Sequence, residues 1–265
     1  MTAMGFLVPR MISIPAFLSE RVRFGLPTVA GPLDQQVLFI LDGVGGLQFA
    51  PLLVRRVLRS ERITMGTVVY KWQFGLPGEI WTDLMWRRRN EIMAVGLARR
   101  LMAFRRAHPQ ATIHVLAYSG GTGIAVFALE RLGGREVVET LVLAGPAISP
   151  EYNLGPALQA VRRAYALISH RDTVILGWGT RVFGTMDREF VAAAGKTGFR
   201  IPPGAEEAAL EAYGKLREVR WSPMLKDCGH HGGHTGWLTP AFLRRHLPSI
   251  LEGNPQLPTR PVRRV

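Results

Sequence analysis

Ser119 lies in Ala117-Tyr118-Ser119-Gly120-Gly121, between an apolar run that reads as a strand (Thr112 to Ala117, TIHVLA) and a helix of small residues that begins at Gly121. A serine on so sharp a strand-to-helix turn needs small neighbours, because strand and helix approach each other closely there. Gly121 meets that demand and Ala117 nearly does. The turn lifts the hydroxyl above the sheet, and the helix N-terminus behind it favours developing negative charge, so the chemistry suggested is nucleophilic attack.

A carboxylate and a group of imidazoles follow downstream. Asp172 stands in Ser169-His170-Arg171-Asp172-Thr173-Val174, directly after the strand-like run AYALIS, where the bland reading is a turn residue. Gly229-His230-His231-Gly232-Gly233-His234-Thr235-Gly236 offers three imidazoles, and Cys228 beside them brings soft-metal ligands to mind. A metal site is nevertheless not expected: no helix can hold His230 and His234 on one face across Gly232-Gly233, and Cys228 is the sole cysteine. It can form no internal disulfide.

Around these residues the chain alternates strand and helix. Val37 to Leu41, Thr67 to Trp72, Thr112 to Ala117, Glu139 to Ala144, Ala164 to Ser169 and Leu216 to Trp221 read as strands. Leu47 to Leu58, Thr82 to His108, Gly121 to Leu132 and Leu158 to Arg163 read as helices between them, and a last helix starts at an N-cap Thr239 followed by Pro240. Strands that are apolar throughout rather than alternating predict a mostly parallel sheet buried on both faces, an α/β fold. Residues 1–36 read as an N-terminal arm or short strands, 37–252 as the domain, and 253–265, rich in Pro, Gly and Arg, as a mobile basic tail. Residues 177–214 interrupt the rhythm without a clear strand and are read as an excursion over one end of the sheet, a small lid or ordinary surface.

In this context the segment at 117–121 resembles the nucleophile elbow of the α/β-hydrolase superfamily, with Ala117 where the family has its first glycine. The resemblance extends over about residues 37 to 252 and rests on order: a Gly-rich turn, the elbow, an acid, then a histidine. It implies Ser119 as nucleophile, Asp172 as the acid, and an oxyanion hole made by the backbone N–H groups of Val44 and Gly120. It also implies that no large cap lies between the elbow helix and the acid strand. For the base, spacing to Pro240 favours His234, with His230 as the alternative and His231 behind it. Asp42, in Leu41-Asp42-Gly43-Val44-Gly45-Gly46, departs from the family's usual His-Gly; a carboxylate aimed at an oxyanion would oppose it, so its side chain is expected to point away and accept from backbone.

Trp72, Phe74, Trp81, Trp178 and Trp237 fall in loops at the C-terminal edge of the expected sheet, and Tyr118 adjoins the nucleophile; together they are candidates to line an apolar acyl or aryl pocket. Gly43-Val44-Gly45 is not a dinucleotide turn, because Gln48 replaces the third glycine, and Gly195-Lys196-Thr197 is not a phosphate loop, because Phe190 stands where a glycine is required. No cofactor is implied.

The resemblance implies a serine esterase or lipase-like enzyme acting on a small-molecule ester through an acyl-enzyme. A thioesterase, amidase or acyltransferase would use the same residues. A reading from another class is a non-catalytic binding protein with a basic surface, since the chain carries 33 Lys+Arg against 20 Asp+Glu, a formal net charge of +13. All but four of the 33 are Arg, and the clusters fall on helix-like segments, so solvated helix faces are favoured over contact with nucleic acid or acidic lipid. No apolar run approaches the ~18 to 20 residues that cross a bilayer, and no cleavable leader is read, so a cytoplasmic location is the expectation.

Overall fold

The computed structural model describes residues 27–74 and 80–264; residues 1–26 of the arm, the side chain of Trp81 and Val265 lie outside what is described. Val37 to Leu41 are each 0% exposed, and they divide by parity. Val37, Phe39 and Leu41 join one core cluster and Leu38 and Ile40 the other. This two-sided burial is why the strand reads as an unbroken apolar run.

The elements in chain order are β1 (Val29–Ala30), β2 (Gln36–Leu41), α1 (Phe49–Ser60), β3 (Gly66–Val69), α2 (Ile80–Met85), α3 (Arg87–Ala107), β4 (Thr112–Tyr118), α4 (Gly121–Glu130), β5 (Val138–Ala144), α5 (Gly155–Gln159) and β6 (Val161–Ile168). A π-helical turn (Val174–Gly179), α6 (Thr180–Phe183), α7 (Ala194–Thr197), β7 (Arg200–Ile201), α8 (Glu207–Tyr213) and β8 (Leu216–Arg220) follow. Two 3-10 turns (Pro223–Cys228 and His234–Leu238), α9 (Pro240–Leu251), β9 (Thr259–Pro261) and β10 (Arg263–Arg264) close the chain. Eight strands form one sheet in the order β1-β3-β2-β4-β5-β6-β8-β9. The six inner strands are parallel, and β1 and β9 run antiparallel at the two edges. One face is covered by residues of α3, α4, α5 and the 174–199 segment, the other by α1 and α9. Between α4 and β6 stand only β5 and α5, so no cap is inserted there.

Four expectations are corrected. The long basic helix is two: Trp86, at φ −87 and ψ 74, breaks it, and α2 is turned so that Asp83 can accept from loop backbone and from Arg89. The segment at 158–163 is strand from Val161, because Arg162 and Arg163 reach across to Glu139 on β5. The excursion contains a short strand, β7, and is packed into the core through Met186, Ala193, Ala194 and Phe199. The tail is not a mobile appendage: Leu257 and Val262 are buried, β9 pairs with β8, and β10 pairs with β7.

Candidate active site

Ser119 is the residue that connects β4 to α4, and its φ of 52° places a non-glycine side chain in the left-handed region. Such a conformation costs on the order of 1–3 kcal/mol, which the surrounding packing must hold. Its N–H donates to Ala144 O at 2.9 Å, and its carbonyl accepts from Thr122 N at 3.0 Å and Thr122 Oγ1 at 2.5 Å. The glycines are sterically required: a Cβ at Gly121 would lie 2.5 Å from Asp42 O, and one at Gly120 would lie 2.8 Å from a Val44 methyl. Ala117 is fully buried, so its methyl is accommodated where the motif has glycine.

The loop between β8 and α9 brings His234 to this turn. His234 Nε2 lies 2.8 Å from Ser119 Oγ, and its Nδ1 lies 2.5 Å from Asp172 Oδ2. An imidazole so placed can donate from Nδ1 to the Asp172 carboxyl and accept on Nε2 from the serine hydroxyl. Asp172 Oδ1 also accepts from Leu176 N at 3.3 Å, the first turn of the π-helical segment. The acid and imidazole loops are clamped to each other, since Ser169 Oγ donates to Gly232 O at 2.6 Å. Ser119 is 7% exposed and the His234 side chain 12%, so water is largely kept from the pair.

His230 and His231 are elsewhere. His230 is fully buried, its Nδ1 accepts from Gly232 N at 3.1 Å, and its ring packs edge-on against Trp237 at 4.2 Å. Burial pulls its pKa down to about 4, so the ring is neutral, and among the described residues its Nε2 has no partner. His231 is exposed. Cys228 turns from the histidine loop to His246, Sγ to Nε2 3.6 Å, and among the described residues no group of three or more His, Cys, Asp or Glu is placed to hold a metal.

The Gly-rich turn faces the serine from β2. Asp42 points back into the fold, accepting from Phe49 N at 2.7 Å and Ala50 N at 3.1 Å at the start of α1. Burial pushes its pKa up to about 6 against those backbone hydrogen bonds. The N–H groups of Val44 and Gly120 meet no acceptor among the described residues, and the two residues are in side-by-side contact. Two side chains not singled out in the sequence hold the turn: Asp83 Oδ2 accepts from Gly45 N at 2.9 Å, and Gln73 Nε2 donates to Gly43 O at 2.6 Å. Asp83 Oδ1 also accepts from Phe74 N, and Arg89 lies beside it at 3.4 Å. An acid at the very start of a basic segment was the signal available for Asp83.

The aromatics part company. Trp72 is core beneath the elbow, donating from Nε1 to Asp42 O at 2.9 Å, and Trp237 is core beneath His230. Tyr118 packs on the His234 ring at 5.0 Å, while Phe74 and Trp178 are exposed.

A serine at the end of the third parallel strand from the β3 edge, an acid after β6 and an imidazole after β8, on this sheet order, decide the architecture. The chain has the α/β-hydrolase fold. No family model matches it, and no curated protein matches it in sequence. Among solved structures the chain is similar to a cutinase-like protein from Cryptococcus sp., at 13% identity, 82% coverage of this chain, 95% of the other and a TM-score of 0.41. It is also similar to a Trichoderma reesei cutinase solved with a C11Y4 phosphonate inhibitor, at 16% identity, 62% and 73% coverage and a TM-score of 0.38. Aspergillus fumigatus lipase B overlaps at 11% identity, 86% and 56% coverage and a TM-score of 0.49. Among the described residues no helix is long and apolar enough to cross a membrane.

Proposed function

We propose that this α/β-hydrolase cleaves a carboxylic ester through an acyl-enzyme on Ser119. The observation that carries the reading is His234 bridging Ser119 Oγ and Asp172 Oδ2 at 2.8 and 2.5 Å. Ser119 Oγ attacks the ester carbonyl while His234 Nε2 takes its proton, and the imidazolium is stabilised by Asp172. The tetrahedral oxyanion is met by the N–H groups of Val44 and Gly120, donors fixed before the charge appears; losing one such donor costs about 3 kcal/mol of barrier. His234 then passes the proton to the leaving alcohol. Water enters, His234 activates it in turn, and the acid is released from Ser119. Asp42 supports this by neither facing the oxyanion nor leaving α1 uncapped.

The reading is tested by active-site labelling. A fluorophosphonate should add one mass adduct to the wild-type chain, at Ser119, and none to Ser119→Ala. A folded wild type that stays unlabelled would overturn the enzyme reading in favour of a binding protein. Thioester, amide and acyl-transfer chemistry use the same three side chains, and a panel matched in acyl group but not in leaving group ranks them against ester hydrolysis.

A further inference from the structure

The segment that follows Asp172 turns an apolar edge outward. In the π-helical turn and α6, Leu176, Gly177 and Thr180 face inward and are buried. Val174, Ile175, Trp178 and Val182 face solvent, Trp178 at 68% exposure. This ridge is anchored directly to the site: Asp172 Oδ1 accepts from Leu176 N, and Leu176 packs against Gly145 beside the His234 ring. Across from it, α2 packs against α6 and ends in exposed Met85 and Trp86, the latter stacked on Phe74 at 6.2 Å. Single exposed apolar side chains are ordinary, but a contiguous group of this kind marks a surface that meets something.

The exposed charges on these segments are mostly positive. Arg88, Arg171 and Arg181 are exposed. Of the acids on the same segments, Asp83 and Asp172 are buried, Glu91 is paired with Arg87, and Asp187 is bonded to Ser149 and Thr185, which leaves Glu189 exposed. A second copy of the chain suits this face poorly: a two-fold contact would set Arg181 and Arg88 of one copy close to their counterparts on another molecule of net charge +13. An anionic amphiphile surface satisfies both features, taking the apolar side chains below its headgroups and the arginines among them.

We infer that the ridge Val174, Ile175, Trp178 and Val182, with Arg88 and Arg181, docks the enzyme on an anionic lipid surface with the mouth of the Ser119 site turned toward it. The inference deepens the proposed function and rests on it for its purpose, since an ester whose acyl part lies in such a surface is then presented to the serine. The docking itself does not depend on turnover.

The test therefore uses the full-length Ser119→Ala chain and sedimentation with vesicles. It should bind vesicles of mixed phosphatidylglycerol and phosphatidylcholine, bind pure phosphatidylcholine far more weakly, and release from the mixed vesicles as salt rises. Trp178→Ser with Val182→Ser should weaken binding by about tenfold or more, the loss expected when large apolar groups no longer enter the surface. Arg181→Glu should do likewise through charge. Equal binding to both vesicle types, no binding at all, or unchanged binding in the double variant would overturn the inference. So would a concentration-dependent dimer that the double variant abolishes without any vesicle binding. Fluorophosphonate labelling of the Trp178→Ser, Val182→Ser chain on the wild-type serine reports that it is folded. Labelling without vesicle binding in the wild type sinks the docking surface alone; vesicle binding without labelling sinks the hydrolase reading alone.

Discussion

His230 and His234 stand at the two ends of one short loop and put the same ring to opposite uses. His234 is partly buried, with both nitrogens engaged by groups on the turns that follow β4 and β6. His230 is sealed beneath it, with one nitrogen serving the loop's own Gly232 N–H and the other without a described partner. The difference lies in what packs on each. Trp221, Trp237 and Phe242 surround His230 and keep it neutral, whereas Gly232, at φ 97°, swings the chain out so that His234 can meet Ser119. A histidine in a cleft loop is thus assigned by its neighbours' polarity rather than by its type.

The comparison is broken most severely by removing each ring in turn. His234→Ala should lower kcat/KM on a p-nitrophenyl ester by roughly six orders of magnitude, as expected for loss of the proton carrier of such a triad. His230→Ala should leave most of the turnover per folded molecule and instead lower stability by about 2–4 kcal/mol, because it opens a cavity under Trp237. Turnover kinetics beside urea unfolding separates the two; the reverse pattern would move the base to His230.

A second way to sharpen the contrast leaves both rings in place. A Cβ at Gly236 would fall 1.8 Å from His230 Nδ1, so Gly236→Ala must expel the buried ring or shift the loop. Overpacking of this kind costs about 1–3 kcal/mol, and here the strain is passed directly to the backbone that carries His234. The expected outcome is a lower urea midpoint together with a reduced kcat; a stable variant with unchanged kcat would show that the two ends of the loop are uncoupled.

Much of this arrangement is legible in the sequence, and the illegible parts share a cause. The inner strands can be read because burial on both faces leaves them unbroken apolar runs, Val37 to Leu41 above all. The stretches holding Ser119 and Asp172 can be read because each follows such a strand, and the one holding His234 because its three imidazoles stand among glycines just before the Thr239-Pro240 helix start. The choice between His230 and His234 rests only on spacing in the sequence, since burial is a tertiary property. The same holds for the aromatics: a tryptophan's type does not say whether it faces core or solvent, and Trp72 and Trp178 went opposite ways. The edge strand β9 is hidden by a Pro- and Arg-rich composition, because an edge needs few residues and only Leu257 and Val262 to anchor it. The break at Trp86 goes with Asp83 reaching the Gly-rich turn after β2, a partner far away in sequence.

The smallest effect expected is a pH dependence of stability, and it again divides the two histidines. Burial holds the His230 pKa at about 4, below the 6.5 of an unperturbed ring, with Asp172 opposing that shift and His231 adding to it. Between those values the unfolded chain binds a proton that the folded chain does not, so His230 contributes stability that is present above pH 6.5 and lost as pH falls toward 4. His114, also lowered to about 4 by burial, acts in the same direction. Asp42, raised to about 6, acts against both, since its stability contribution is present at low pH and lost as pH rises through 6. His230→Asn keeps an acceptor near the Gly232 N–H but cannot titrate, so urea unfolding at pH 7 and pH 4.5 should show a smaller acid loss in this variant than in the wild type. Asp42→Asn should do the opposite and steepen the loss, because the counterweight is gone. An identical acid loss in wild type and His230→Asn would mean that His230 is solvated in solution, and the contrast between the two ends of the loop would fail with it.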